Sequence, residues 1–238
     1  MDRLIVTLDG PAGSGKSTVA RRLAARLGLD FLDTGAMYRG LTAKALDRGI
    51  DIEEEAYAVV ELARNADLRF DWETDPPALY INEVNVTPRL RERDVVAAVS
   101  DVAAMDAVRQ VLVKAQQAIG RDHPGLVTEG RDQGSVVFPD AEAKFYLDAS
   151  PQVRAERRAA QLRELGKHVD LEALRESIVL RDRKDSTRKT GPLLCPDDAE
   201  KIDTTEMTLD EVVDYLEKQV RDIQTHAEVE SQDSGGLS

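Results

Sequence analysis

The sequence predicts an α/β fold: an open, mostly parallel sheet covered by helices on both faces, with a small antiparallel sheet inserted into it. Three observations carry that prediction. Short apolar runs alternate along the 238 residues with stretches whose apolar positions recur at helical spacing, the pattern of strands and amphipathic helices in turn. A glycine-rich turn joins the first such run directly to a helix. Between residues 68 and 81 the pattern changes to alternation around Asp75-Pro76-Pro77, which reads as a hairpin rather than a crossover.

In order, residues 4–8 (LIVTL) make a buried strand that Asp9-Gly10-Pro11 ends in a tight loop. A helix over 17–27 sets Val19, Leu23 and Leu27 on one face, with Gly28 as its stop. A second, over 36–48, carries Met37, Leu41 and Ala45 and ends at Gly49; a third spans 53–65. Residues 68–72 and 79–81 form the inserted sheet. Thr87-Pro88 opens helical sequence that runs, with breaks, to Ile119, its stripe being Val95, Val99, Val102, Val108, Leu112 and Ala115. Residues 126–128 and 145–147 suit interior strands of a parallel sheet. Ser150 caps, and Pro151 begins, a helix over 151–165, and a second basic helix covers 170–187. A last strand at 201–203 and a last helix at 208–223 follow. Residues 224–238, with three acids and no Lys or Arg, read as a disordered acidic tail.

Composition excludes several classes. A net charge of −13 repels polyanions, so no nucleic acid polymer is expected as a partner. No apolar run exceeds five residues, against about 18 for a membrane-spanning helix, so no membrane is expected either. Leu4-Ile5-Val6 is too short for a signal peptide's apolar region, which points to a cytoplasmic protein. The lone Cys195 offers neither a disulfide nor a zinc site. Nothing in the pattern calls for a second copy, and a monomer is expected. Within this acidic chain, Arg154 to Lys189 carries a net +4. That island is either a solvated basic helix pair or an anion-binding segment.

The chemistry begins at Gly10-Pro11-Ala12-Gly13-Ser14-Gly15-Lys16-Ser17, which fits G-x-x-x-x-G-K-[ST] and is followed by Thr18. Glycines let backbone N–H groups meet phosphate oxygens, and the helix that follows adds partial positive charge. Lys16 reaches the β- and γ-phosphates, and the Ser17 hydroxyl ligates Mg²⁺. The core is therefore of the P-loop NTPase type, with ATP as co-substrate. No guanine-reading tetrapeptide and no apolar run ending in Asp-Glu accompanies the loop, which leaves a compact kinase. At 33–39, a strand end leads into a helix carrying Thr34, Tyr38 and Arg39. An N-cap hydroxyl and a guanidinium can hold a second phosphate, and they equally suit an ordinary capped helix. Directly after the strand at 126–128 come Arg131 and Asp132. Arg131 could bridge phosphates; Asp132 could accept from a base or hold Mg²⁺ through water. Arg181, Asp185 and Arg188 share one helix face at i, i+4 and i+7.

Taken together, GPAGSGKST at 10–18, LDTGAMYR at 32–39, Ser100 with Arg109, EGRDQGSVVFPDA at 129–141 and RDRKDSTRKTGPL at 181–193 resemble the bacterial cytidylate kinases over residues 3–222. Gln133 stands where that family usually has Met, and Thr34 where it has Ser. The resemblance implies a core (1–33, 99–150, 191–223), a monophosphate-binding lobe with the inserted sheet (34–98) and a helical lid (151–190). It implies that Thr34, Arg39 and Arg131 hold the acceptor phosphate of CMP or dCMP, and that Tyr38 lies in the same site. Ser100, Arg109 and Asp132 would read cytosine, while Arg181, Asp185 and Arg188 would bind the acceptor's sugar and phosphates. Lys16, Arg131, Arg181 and Arg188 would carry the catalysis. A kinase for another small acceptor, such as UMP or an alcohol, and an ATP-sensing switch are the alternatives the phosphate loop also permits.

Overall fold

A computed structural model of the chain describes residues 3–164 and 166–234. Its elements run β1 (Leu4–Asp9), α1 (Lys16–Leu27), β2 (Asp30–Asp33), α2 (Thr34–Asp47), α3 (Ala56–Arg64), β3 (Leu68–Asp71), β4 (Ala78–Ile81) and β5 (Val84–Asn85). A 3₁₀ turn at Thr87–Arg89 leads to α4 (Arg93–Ala104), α5 (Asp106–Asp122) and β6 (Gly125–Glu129). A single π-helical turn at Gln133–Val137 precedes β7 (Ala143–Asp148), α6 (Pro151–Glu164), α7 (Leu171–Thr187), β8 (Glu200–Asp203) and α8 (Leu209–Ser234).

Five strands form the parallel sheet, in the order β2-β6-β1-β7-β8. Because side chains alternate along a strand, a sheet covered on both faces needs apolar residues at every position. β1 meets that need. Its Ile5 belongs to a core with Met37, Leu41, Val102 and Leu112 on one face, while Leu4, Val6 and Leu8 pack with Val19, Leu23, Val213 and Leu216 on the other. The inserted sheet, β3-β4-β5, is antiparallel and joins the first core through Phe70, Leu79 and Ile81.

Three local readings are corrected, and a fourth extends outside the described residues. The inserted sheet has a third strand, β5, too short to leave a periodic trace. The Thr87–Ile119 stretch resolves into a 3₁₀ turn and two helices, broken at Met105, whose extended backbone (φ −74°, ψ 109°) cannot continue a helix. The helix expected over 151–165 is described to Glu164, and Leu165 lies outside the described residues. Most substantially, α8 continues through Ser234, so residues 224–234 of the expected disordered tail are helical. That segment holds Gln, Ala, Glu and Val and neither Gly nor Pro until Gly235, so nothing in it stops a helix already nucleated by packing. Residues 235–238 lie outside the described residues.

His123, in the loop before β6, is half-buried. Its Nδ1 lies 2.6 Å from Asp30 Oδ2, and its ring sits 4.1 Å from that of Trp72, the only tryptophan. Arg21 of α1 forms a two-pronged pair with Asp75 at 2.5 and 2.8 Å. These contacts moor the hairpin end of the inserted sheet to the core.

Candidate active site

Each parallel strand ends on a carboxylate: Asp33, Glu129, Asp9, Asp148 and Asp203 across the sheet. Ligands of open α/β sheets bind at that edge, and the candidate residues gather there. The phosphate loop crosses it between β1 and α1. Gly10 has φ 144° and its α-carbon faces the Leu147 carbonyl too closely to admit a Cβ, while Gly13 takes φ 79°. A side chain at either position would open the loop.

Among the described residues, the backbone N–H groups of Gly13, Gly15, Lys16 and Ser17 have no acceptor in the protein. They form a ready anion cradle at the start of a twelve-residue helix. Others expected in it are committed elsewhere. The Ala12 N–H donates to Asp182 Oδ1 at 3.1 Å, the Ser14 N–H to the Pro11 carbonyl at 3.5 Å, and the Thr18 N–H to the Gly15 carbonyl at 3.1 Å. Pro11 has no N–H at all.

Lys16 is buried, and its Nζ donates to the Pro11 carbonyl at 2.7 Å and Ser14 Oγ at 3.3 Å. Burial, then the nearby Arg131, bring its amine down to about 7, against the opposing pull of Glu129 and Asp9. Ser17 Oγ donates to Glu129 Oε1 at 2.7 Å. Burial and the facing Asp33 push the Glu129 carboxyl up. Burial acts on Asp33 in the same sense, but Arg39, a hydrogen bond with Glu129 and the Ala36 N–H outweigh it and hold Asp33 below the usual range. Asp9, pushed up to about 6 by burial, accepts the N–H groups of Gln133 and Gly134 at 2.8 Å each. It thereby fixes the turn that carries Arg131 and Asp132.

Opposite the loop lies a cleft of arginines. Arg39 Nη2 donates to Asp33 Oδ2 at 2.7 Å, and Arg131 donates through Nε to Asp185 Oδ2 at 3.0 Å and through Nη1 to the Gly130 carbonyl at 3.1 Å. Arg188 lies 3.8 Å from the other Asp185 oxygen and donates to the Gly191 carbonyl. Arg181 has no ion-pair partner within reach among the described residues; burial, then Arg131, bring its guanidinium down to about 10. Burial and then Arg109 likewise lower Arg188. Buried Nε atoms of Arg39, Arg109 and Arg181, and Nη2 of Arg188, have no hydrogen-bond partner. Buried donors are rarely left so.

Deeper in the cleft, Arg109 and Asp132 form a closely hydrogen-bonded ion pair, exposed by only 2% and 6%. The Arg109 guanidinium lies 5.6 Å from the Tyr38 ring centre, and burial drives the Tyr38 hydroxyl up to about 12. Ser100 sits half-buried on α4 and makes no side-chain hydrogen bond among the described residues. The structure thus brings Arg131, Arg181, Asp185 and Arg188 together, and joins Arg109 to Asp132 and Tyr38; it gives Ser100 no partner.

Thr34 is a correction. Asp33, not Thr34, caps α2 by accepting the Ala36 N–H at 2.9 Å, and the buried Thr34 hydroxyl donates to the Glu129 carbonyl at 2.7 Å. A short acidic side chain at the strand's last residue outcompetes the hydroxyl one step later. The basic island resolves too. Arg154 and Arg157 donate to the backbone carbonyls of Ala12, Ala149, Thr204 and Met207, whereas Arg158 reaches only Gln161. Sequence reasoning missed Asp9, Asp33, Glu129 and Asp182. The signal for the first three was an acid closing each apolar strand; Asp182 left none.

A family model described as cytidylate kinase matches residues 6–222. A cytidylate kinase of Aeromonas salmonicida is 41% identical over 222 residues, covering 92% of this chain and 96% of that protein. Another, of Methylococcus capsulatus, is 44% identical and covers 88% of this chain and 93% of its own length. A bifunctional pantoate ligase/cytidylate kinase of Trichormus variabilis is 45% identical over 91% of this chain, but the chain spans only 42% of that protein. Among solved structures, an uncharacterized protein from Eubacterium ventriosum superposes with a TM-score of 0.51 at 10% identity, covering 92% of this chain and 99% of that one; it shares the fold. The match across nearly the whole parallel sheet and its helices shows that the chain belongs to the cytidylate kinase family.

Proposed function

We propose that the chain transfers the γ-phosphoryl group of ATP to the 5′-phosphate of CMP or dCMP, giving CDP or dCDP and ADP. An oxygen of the acceptor phosphate forms the new bond to phosphorus, and the bond to the ADP oxygen breaks. That oxygen is already anionic near neutral pH, so no general base is needed. Catalysis is positioning and charge neutralisation. The observation that carries the reading is the set of buried guanidinium nitrogens without partners on Arg39, Arg181 and Arg188, facing a cradle of unpaired amides. One side suits the donor's phosphates and the other the acceptor's.

In this reading Lys16 and the amides of Gly13 to Ser17 hold the ATP phosphates. Arg39 and Arg131, with Thr34 beside them, hold the acceptor phosphate; Arg131, Arg181 and Arg188 spread the charge of the transferring group. Asp185 and Arg188 take the sugar, and Ser100, Arg109 and Asp132 take the base. Mg²⁺ fits the hard oxygen donors Ser17 and Glu129, already hydrogen-bonded to each other, with Asp33 behind them. Among the described residues no three acidic, His or Cys side chains could hold a metal by themselves, so the ion would be shared with the ATP phosphates, whose charge it neutralises. The lobe at 34–98 and lid at 151–190 would close over both substrates and exclude water. No helix among the described residues is long and apolar enough to cross a membrane, and we place the enzyme in the cytoplasm as a monomer.

A coupled assay for ADP, run with and without CMP, tests this. ADP release that depends on CMP supports it. Equal slow release in every tube would indicate an ATP-sensing switch instead, and release with an alcohol but not CMP a different acceptor.

A further inference from the structure

One residue of the phosphate loop, Ala12, has both of its backbone polar groups held by a single ion pair. The Ala12 N–H donates to Asp182 Oδ1 at 3.1 Å, and the Ala12 carbonyl accepts from Arg154 Nη1 at 2.8 Å. The same Arg154 Nη1 lies 2.6 Å from Asp182 Oδ2, while its Nε donates to the Ala149 carbonyl at 2.9 Å. Arg154 stands on α6 and Asp182 on α7, so the pair also ties together the two helices of the proposed lid. Next to Ala12, a Cβ on Gly13 would stand 3.4 Å from Arg154 Cβ and 3.8 Å from Ile178 Cδ1. Both lid helices thus rest on the loop itself. With 4% exposure, Arg154 is an unusually buried arginine, and its donors face carbonyls and a carboxylate rather than the arginine cleft.

We propose that Arg154 and Asp182 are positioning residues for the donor nucleotide: their ion pair splints the backbone on both sides of Ala12, so that the lid's attitude and the phosphate loop's shape change together. The unpaired amides begin at the next residue, Gly13, whose N–H lies in the same planar peptide as the Ala12 carbonyl that Arg154 holds, so fixing that carbonyl sets the direction in which the first of them points. A carboxylate bound to the outer amide also keeps that N–H from competing for phosphate. The splint stands on geometry alone; its effect on catalysis rests on the kinase reading above.

The test compares Asp182→Ala, Asp182→Asn and Arg154→Lys with the parent protein. Asp182→Ala is expected to raise KM for ATP about tenfold, the scale of one charge-assisted hydrogen bond, with KM for CMP changed less than about twofold. Asp182→Asn, whose amide oxygen still accepts from Ala12 but whose NH2 cannot accept from Arg154, should recover part of the loss. Arg154→Lys should not, because one ammonium on a flexible stem cannot serve Ala149, Ala12 and Asp182 together. Hydrogen exchange at the Ala12 amide, measured without nucleotide, should speed up in Asp182→Ala and return toward parent in Asp182→Asn. Equal rises in both KM values, or a lower Tm with both KM values and Ala12 exchange unchanged, would overturn the proposal. Should the parent show no CMP-dependent turnover, the kinase reading fails, while the exchange measurement still decides whether the splint exists.

Discussion

The phosphate loop and the arginine cleft facing it are held in opposite ways. In the loop, Lys16 rests on the Pro11 carbonyl, Ser17 on Glu129 and Ala12 on Asp182 and Arg154. In the cleft, Asp185 is shared between Arg131 and Arg188, and Arg181 has like-charged Arg131 and Arg39 as neighbours. The loop keeps its shape through internal partners and offers neutral amides with a single amine, that of Lys16. The cleft keeps charged donors buried without partners, which lowers stability and raises affinity for an anion that brings its own charge. On the proposed function, donor recognition would rest mainly on backbone shape and acceptor recognition mainly on charge.

Four variants or conditions sharpen that contrast, the largest effect first. Lys16→Ala should lower kcat about 100-fold or more, because it removes the one charged group that the loop aims at the transferring phosphoryl; near-parental turnover in a folded variant would relocate the site. Next comes the base pair of charges. Deleting Asp132 leaves Arg109 buried and unpaired, which costs about 3–5 kcal/mol of stability, so the informative change is Asp132→Asn. Cytosine offers an N4 donor where uracil offers an oxygen. Losing the carboxylate should narrow the CMP-to-UMP ratio of kcat/KM by about tenfold or more, while KM for ATP stays put. An unchanged ratio would remove Asp132 from base reading.

Third is a pH effect on the loop. With its amine brought to about 7, Lys16 is mostly neutral at pH 8 and charged at pH 6. ATP phosphates favour the charged form, so binding at pH 8 takes up a proton and affinity falls as pH rises through 7. Titration calorimetry in buffers of different ionisation enthalpy should find uptake approaching one proton at pH 8 and little at pH 6, and none at either in Lys16→Met. Smallest is truncation after Ile223. Among the described side chains, the inward residues of α8, Val212, Val213, Leu216 and Val220, all precede that point, so turnover should be unchanged and stability altered by less than about 1 kcal/mol. A loss of activity would give residues 224–238 a part in the site.

How much of this was legible in the sequence follows from how local each signal is. The strand, glycine loop and helix at 4–27 lie within one stretch, and backbone sterics at Gly10 and Gly13 permit little else. Arg181 and Asp185 could be named from their helix spacing. Arg188, expected on the same face, lies just past the end of α7 in extended backbone (φ −67°, ψ 147°), so it and Arg131 were legible only through the family likeness, and the sharing of Asp185 was not legible at all. What stayed hidden depends on contacts distant in the chain. Asp9 reaches Gln133, Asp182 reaches Ala12, and Trp72 meets His123; no periodicity marks any of them. The reading of Thr34 as the helix cap failed for a local reason, since Asp33 and Thr34 both suit a cap and only the strand's register decides between them. α8 ran on past Ile223 because a run of weakly apolar helix formers looks the same in a tail and in a helix end.

The contrast between loop and cleft is tested most directly at Arg181. Replacing it with Gln removes a buried charge that has like neighbours and an unpaired Nε. Equilibrium unfolding, with kcat measured on the same samples, should find the Arg181→Gln protein more stable than its parent by about 1 kcal/mol and slower by about 100-fold, and CMP should raise its Tm less than it raises the parent's. A variant less stable than the parent, or one that keeps its turnover, would contradict a cleft that holds positive charge in wait for the acceptor's phosphate.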